Sequence, residues 1–514
     1  METPSQDRDN VKKHVTSILF PVLYTLVLIA FATLIYFYAN GYRFDFTRQQ
    51  ITQTGVVDVE SSLLGSDVYV NDKLIGKTPK STSLDVGTYN ITVKRAGYYD
   101  WNKTVNITEG KSVILDVWPV KQSPDFTTVW TSKGEVEKTW QNNNQDHIIF
   151  LTKEDDNTFS LWEYSVNPPI WDFSDNPSKI LQLNNENFSL DLSPDGLSAL
   201  ITVTTDNGIL QYIIDTQRLS TLSSITPLNI DQTKGYKETW SEDSNYLILE
   251  TSTEIFAYSV KQGTIVALVT KTTSTSVWTT DSSGFLYLLE VADTTTPQTN
   301  VYKLKQVNLD GSTSKYIIDN FYFNNTDLYI NQYRTNGFSY NEFTTSPEST
   351  MSAGQITSLE INQEAQGIFI TTNFATYWLD MSTQKFIMIS AYPSKLLAYN
   401  SIPDKLIFQD QNYISIFTFK KTEGDDSTMI GSRIIQNVAD PLKISGIGWI
   451  QDINYIYYIE NDSLYTADKD GENKSHIADT ANLLTITNKA SNKSFYTFTK
   501  DSEGKLSITN ISTR

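Results

Sequence analysis

Between residues 126 and 514 one short pattern keeps returning. It is an aromatic or apolar residue, a polar turn holding Asp or Asn, then an apolar run. Phe188-Ser189-Leu190-Asp191-Leu192-Ser193-Pro194-Asp195-Gly196 leads into Leu200-Ile201, and Trp240-Ser241-Glu242-Asp243-Ser244-Asn245 into Tyr246-Leu247-Ile248-Leu249. Trp278 through Gly284 leads into Phe285-Leu286-Tyr287-Leu288, and Trp449 through Asn454 into Tyr455-Ile456-Tyr457. Weaker copies begin near Trp140, Phe323, Leu359, Tyr399 and Ile486. No helical period of useful length runs through this region. A repeat of roughly 40–45 residues is the spacing of propeller blades. One four-stranded sheet cannot bury both of its faces, but sheets packed radially bury each other's. The starts near 140, 190, 240, 278, 323, 359, 399, 449 and 486 give nine candidates. Propellers have about 4–8 blades, so eight is the favoured number, with seven or nine as alternatives.

The second half of the unit also repeats, as an alternating strand, a polar turn and another short strand. Ile255-Phe256-Ala257-Tyr258 through Gly263 to Ile265-Val266 is one example, and Tyr377-Trp378-Leu379-Asp380 to Phe386-Ile387 another. Ser193-Pro194-Asp195-Gly196 resembles the turn of TolB-like and WD-repeat-like propellers, a short match that bears on fold alone. The chain ends after a strand-like Leu506-Ser507-Ile508-Thr509-Asn510-Ile511, and Thr127-Thr128-Val129-Trp130 is placed to complete that last blade and close the ring.

Ahead of this array, Val15 to Ala39 contains no charged residue. About 20 apolar residues cross a hydrocarbon core of roughly 30 Å, so 15–40 is expected to be a transmembrane helix that meets the lipid bilayer. Tyr36, Phe37, Tyr38 and Tyr42 sit like an interfacial aromatic belt. A cleaved signal peptide is the nearer rival, with Ala39-Asn40-Gly41 as its small-x-small triplet. The apolar run exceeds the about 7–15 residues of a signal core, which favours an uncleaved anchor. Arg8, Lys12 and Lys13 precede the span, while Arg43 and Arg48 follow it. Residues 1–14 are therefore expected as a cytoplasmic tail, with 42–514 outside the cytoplasm.

Residues 41–53 read as a juxtamembrane linker and 121–125 as a second linker. Between them, 54–120 carries short alternating runs: Val56–Val59, Asp67–Val70, Tyr89–Val93 and Val113–Val117. Asn71-Asp72-Lys73 and Val86-Gly87-Thr88 read as turns. Gly65 through Pro79, with Val68-Tyr69-Val70 and Gly76-Lys77-Thr78-Pro79, resembles the core of a PEGA domain, followed by Leu84 to Tyr89, Lys94 to Tyr98 and Trp101. The chain departs from that pattern at Leu63-Leu64-Gly65-Ser66, Asp72 and Val86. The resemblance implies a small β-sandwich near a membrane anchor, a spacer or binding module without catalysis.

Composition narrows the chemistry. Lys and Arg number 40 against 59 Asp and Glu, a formal charge of −19. Nucleic acid needs a basic footprint, so no nucleic-acid partner is expected. With no cysteine and three histidines, thiolate sites and disulfides are excluded and most zinc-hydrolase designs lack ligands. His147 and His476 read as surface residues, and Asp155-Asp156 and Asp425-Asp426 as solvated turns. The run Asp468-Lys469-Asp470-Gly471-Glu472-Asn473 fails the calcium-loop pattern at both ends and reads as a hairpin turn. No catalytic, metal or cofactor residue is therefore expected. The expected molecule is all-β apart from its anchor: a helix at 15–40, a PEGA-like sandwich at 54–120 and a propeller over 126–514. Its expected role is recognition of envelope polysaccharide or a surface protein, with an extracytoplasmic hydrolase, lyase or peptidase as the alternative.

Overall fold

A computed structural model describes residues 6–39, 42–45, 50–142, 146–154, 158–166, 176–183, 188–206, 208–216, 225–228, 230–231, 234–271, 277–293, 301–321, 342–343, 356–362, 366–373, 375–382, 385–390, 392–399, 404–409, 414–419, 444–450, 455–468, 471–489 and 494–513. The chain divides into two compact units, residues 1–119 and, apart from a short piece, residues 120–514.

The first unit begins with one helix, Gln6–Ala39, nine residues longer at its start than the expected span. Its window Pro21–Tyr38 has a mean hydropathy of 1.9 and is not covered by protein, so the helix is long and apolar enough to cross a membrane. Pro21 leaves the preceding turn short of one N–H. The Thr25 hydroxyl donates to the Pro21 carbonyl at 2.8 Å, giving that carbonyl a local partner. Beyond the helix, part of the segment expected as a linker is paired. Tyr42–Asp45 forms an antiparallel ladder with Gln50–Gln53, and the Phe37 and Tyr42 rings meet edge-on at 5.3 Å.

Two sheets follow. Asp67–Val70 pairs with Lys73–Lys77 and with Gly87–Lys94, which in turn pairs with Trp101–Ile107. The long strand Gln50–Ser61 pairs antiparallel with Lys80–Asp85 and parallel with Ser112–Val117. Strict alternation drives the packing, since one face of each sheet is wet. Along Trp101–Ile107 every other side chain is buried. Val57, Val59, Val68, Ile91, Val93, Val105, Ile107, Val113 and Leu115 form the common core, as in a β-sandwich. Asn71 and Asp72 turn with φ of 46° and 64°, a conformation that short polar side chains tolerate.

The second unit is built from consecutive antiparallel sheets that follow one another along the chain. The first sheet uses Asp125–Gln141, His147–Lys153, Phe159–Ser165 and Ser178–Leu183. The second spans Phe188–Pro227, the third Lys237–Thr270 and the fourth Val277–Phe321, each with four strands. The fifth spans Ile356–Ser390 with Glu342–Phe343 added at its edge. The sixth shows Lys395–Tyr399, Lys405–Gln409 and Ile414–Thr418, and the seventh covers Ile444–Asp479. The last comprises Leu483–Lys489, Ser494–Lys500 and Lys505–Ser512. Phe323, one of the nine sequence starts, lies outside the described residues.

The second strand of a sheet is covered on both faces, which explains its nearly continuous apolar run. All six residues of Gly367–Thr372 and of Tyr455–Glu460 are buried. Successive residues then serve opposite neighbours. Ile149 and Leu151 pack on the second sheet through Phe188, Leu190 and Ile201, whereas Ile148 and Phe150 pack on the last sheet through Tyr496, Phe498 and Ile508. Leu247 and Leu249 face the second sheet and Ile248 the fourth. Ile368 and Ile370 face the fourth sheet, and Phe369 meets Leu406 and Phe408 of the sixth. Ile407 continues to Ile456 and Tyr458 of the seventh, and Tyr457 meets Phe495 of the last at 5.5 Å. Each sheet therefore packs on the next, and the last returns to the first, as in a β-propeller.

One strand makes that return covalent. Asp125–Gln141 pairs with the final strand along its first part (Thr128 opposite Thr509) and with the first sheet along its second part (Trp140 opposite Ile149). The exchange occurs around Ser132 to Glu135, where Glu135 lies opposite both Lys505 and Lys153. The sequence expectation that Thr127 to Trp130 completes the last blade is met by this register.

The recurrent polar turns join neighbouring sheets. The Ser193 hydroxyl donates to Asp195 Oδ1 at 2.6 Å and accepts the Ser198 N–H at 3.0 Å, with Gly196 at φ 73°. Ser241 and Asp243 repeat this one sheet later. Asp195 N–H donates to Ser244 Oγ, and Glu242 N–H donates to Thr280 Oγ1, both at 3.0 Å, so each turn is tied to the next. The repeated residues are thus seam-builders.

Candidate functional site

The first strands of neighbouring sheets approach one another around the ring. Except for Asp125–Gln141, which pairs on both edges, each first strand pairs on one edge only among the described residues, and in a propeller the innermost strands surround a central channel. Charged residues stand among the apolar and hydroxyl side chains of these strands. Asp191 lies on the first strand of the second sheet, Glu238 and Glu242 on and just after that of the third, Glu360 on that of the fifth, and Lys395 on that of the sixth.

Their electrostatics show that they share one space. Burial, and then the Glu242 carboxylate, push the Glu360 carboxyl up to about 7 against the opposing charge of Lys395. Glu242 belongs to a sheet that does not adjoin that of Glu360, so this charge interaction crosses the ring. Burial also raises Glu242, and it raises Asp191 with help from the charge of Glu238. Asp191 and Glu242 nevertheless remain exposed to water. The walls of a narrow wet passage produce that combination. Tyr399, on the same strand as Lys395, packs its ring on Trp378 and Phe419. Its hydroxyl is buried without a partner among the described residues, and burial followed by the Glu360 charge holds its ionisation well above the usual range. A carboxyl that titrates near neutrality inside a channel has the properties required of a general acid or base. It also has those of a group that discriminates charged ligands.

On the far side of the passage lies a cleft of about 430 Å³. Lys395, Leu396 and Leu397 wall it on one side, Ile444 to Ile447 in the middle and Leu483 to Ile486 on the other, with Gln141 and Gln409 at the rim. Gly446 lines it, and Gly448 on the same strand makes room for the Tyr457 ring. A Cβ on Gly448 would fall 2.8 Å from the Tyr457 hydroxyl, and one on Gly446 3.4 Å from Ile459 Cδ1. Gln141 donates to the Ile486 carbonyl at 3.0 Å and accepts the Thr485 hydroxyl at 2.5 Å, holding the first and last sheets together at this point. A more open hollow of about 650 Å³ surrounds the turn Asp501 to Gly504, where Asp501 Oδ1 accepts the N–H groups of Glu503 and Lys505.

The residues weighed from sequence lie elsewhere. His147 is buried, not on the surface. It pairs with Glu163 at 3.2 Å and packs beneath Gly196, because the seam between the first two sheets closes over it. His476 is exposed and contacts Asp479 at 3.0 Å. Asp468 forms the hairpin turn expected of it: its two oxygens accept the Glu472 N–H and the Asn473 amide, each at 2.9 Å. Asp155-Asp156 and Asp425-Asp426 lie outside the described residues. Among the described residues no three His, Asp or Glu side chains converge as a metal-ligand set. Glu360, Glu242 and Lys395 were missed. The available signal was a charge inside a strand run, as in Leu359-Glu360-Ile361, at a repeat start already recognised.

Comparison with known proteins sets these features beside others. Residues 54–118 match the PEGA domain family. No curated protein matches the chain in sequence. Among solved structures, dipeptidyl peptidase 4 of Porphyromonas gingivalis is 11% identical, with a TM-score of 0.41, covering 74% of this chain and 60% of its own. Oligogalacturonate lyase from Vibrio parahaemolyticus is 10% identical, TM-score 0.37, covering 76% and 98%. TolB from Acinetobacter baumannii is 12% identical, TM-score 0.26, covering 64% of each chain. The chain thus joins an apolar N-terminal helix, a PEGA-type sandwich and a propeller-type ring of sheets whose innermost strands carry charged side chains.

Proposed function

We propose that this is a single-pass membrane protein, its N-terminus cytoplasmic, that displays an eight-bladed propeller outside the cytoplasm for recognition of envelope polysaccharide or a surface protein. The sheets present among the described residues support the count of eight. The length of the helix and its apolar window, uncovered by protein, support the anchor. The observation that carries the recognition reading is the central passage. There Lys395 makes no ion pair among the described residues, in contrast to Lys271, Lys405 and Lys474, which hold carboxylates at 2.6 to 2.8 Å. A charge set among apolar residues on a concave, solvent-reached wall is the arrangement of a binding site.

Glu360 favours a second reading. A carboxyl near neutrality with a second carboxylate in reach is the equipment of glycoside hydrolysis. One experiment separates the two. The full chain in lipid nanodiscs is mixed with isolated cell-wall polysaccharide, and both retention and released saccharide are measured. Retention without release supports recognition; released product overturns it in favour of the enzyme. Protease added to intact cells digests the region after the helix if the orientation is right, and full protection refutes it.

A further inference from the structure

We propose that the cleft between the sixth, seventh and last sheets binds a hydroxylated carboxylate, with Lys395 as the counter-ion. This inference rests on the recognition reading and names the chemistry of its ligand.

Charge is the first argument. The chain carries a net −19, yet none of the fourteen residues lining the cleft is Asp or Glu, and its single charged residue is Lys395. The acidic residues of the passage, Asp191, Glu238, Glu242 and Glu360, come from the second, third and fifth sheets. The cleft therefore holds no carboxylate of its own, and Lys395, which also feels the Glu360 charge, is its single cation. An anion seated in the cleft gains a charge-assisted contact with Lys395 and meets no carboxylate on the cleft wall.

Hydrogen-bonding capacity is the second. The first strands of these sheets pair on one edge only, so their free edges present backbone N–H and C=O groups to the passage. Gly446 puts no side chain of its own on that wall. The Gln409 amide at the rim has no hydrogen-bond partner among the described residues and supplies donor and acceptor together. An aliphatic acid would leave these groups unsatisfied and so bind more weakly. A ligand with hydroxyls satisfies them. The volume of about 430 Å³ is within the usual range of small-ligand sites.

Glu360 sets the condition under which the site works. It faces Glu242, Lys395 and Tyr399, and its repulsion of an anion falls as it takes up a proton. Binding of the carboxylate should therefore tighten as pH drops through about 7.

The test uses the full chain in nanodiscs and ligand-observed NMR titrations with D-glucuronate, D-glucose and D-glycerate. Glucuronate is expected to bind at least tenfold more tightly than glucose. Lys395→Met should remove that difference, and Lys395→Arg should keep part of it. Gly446→Val should weaken glucuronate by occupying the cleft. Because Lys395 is exposed, its variants should melt with wild type, which separates lost binding from lost fold. Glycerate matching glucuronate assigns the site to a free hydroxy acid; glucuronate alone assigns it to an acidic sugar unit of a polysaccharide. Equal binding of glucose, an unaffected Lys395→Met variant, or no binding of either carboxylate overturns the proposal. Cell-wall retention that Lys395→Met leaves intact overturns the cleft while the recognition reading stands. Glucuronate binding without any cell-wall retention does the reverse.

Discussion

Replacing Gly134 with alanine probes the closure of the ring at a single atom. Gly134 sits where the long strand exchanges the last sheet for the first. A Cβ there would lie 2.0 Å from the Lys153 carbonyl oxygen and 2.7 Å from its carbon. Both are backbone atoms of the adjoining strand, so no rotamer relieves the clash. Non-bonded heavy atoms settle at about 3.5 Å, and the two backbones must therefore separate by roughly 1.5 Å. Overpacking of this kind costs about 1–3 kcal/mol. The same shift disturbs Ser132, whose hydroxyl donates to the Gly134 carbonyl at 2.6 Å and accepts the Leu506 N–H at 2.9 Å. Two net hydrogen bonds add about 1–3 kcal/mol, so a loss of about 3 kcal/mol is a conservative expectation. A chain of this size unfolds irreversibly in practice, and the operational quantity is a rate. At about 1.4 kcal/mol per tenfold, the substitution should speed unfolding by up to about a hundredfold. Tryptophan fluorescence of the full chain in nanodiscs, followed at a fixed temperature near the wild-type transition, reads that rate. Lys133→Ala, an exposed neighbour, is the companion variant and should stay near wild type. Equal rates for Gly134→Ala and wild type would refute the reasoning, as would an equal acceleration in Lys133→Ala.

Other consequences follow from the same packing and charges. Trp378 is 2% exposed and stacks on Phe419 at 4.5 Å, so Trp378→Ala should destabilise the fold by about 3–5 kcal/mol, read as a lowered melting temperature. His147 is held above its ordinary pKa: burial opposes its charge, but Glu163, Asp146 and Asp195 outweigh it. Its contribution is therefore present below about pH 6.5 and lost as pH rises through the raised folded value. His147→Gln should flatten that part of the melting profile, and an unchanged profile would remove His147 as its source. Glu360 acts in the same direction, since its carboxylate is the disfavoured form and the folded chain holds its proton longer than the unfolded one. Stability should fall as pH climbs from about 4.5 through about 7, and Glu360→Gln should melt higher than wild type at pH 8 while matching it at pH 4.

Much of the ring was legible because its strands are covered on both faces. Ile148-Ile149-Phe150-Leu151 or Tyr455-Ile456-Tyr457 in sequence can only be a strand with neighbours on each side, and the repeat spacing supplied those neighbours. Closure was legible for the same reason: Leu506 to Ile511 lacked an outer partner that Thr127 to Trp130 could provide. The juxtamembrane hairpin was not, because Tyr42–Asp45 and Gln50–Gln53 alternate too briefly to stand out beside an apolar helix. The burial of His147 was hidden as well, since it depends on Gly196, forty-nine residues later, leaving room for the ring above it. The site was the least legible part. Glu242, Glu360 and Lys395 are scattered across three separate repeats, and only the cyclic order of the sheets brings them to one passage.

The most direct measurement is hydroxyl-radical footprinting of the full chain in nanodiscs, with and without isolated cell-wall polysaccharide. Recognition through the passage predicts protection of the innermost strands, Lys395–Tyr399, Ile444–Ile450 and Leu483–Lys489, with outer strands such as Thr264–Thr270 unchanged. Protection confined to the outer strands or to residues 54–118, with the innermost strands unaffected, would contradict it.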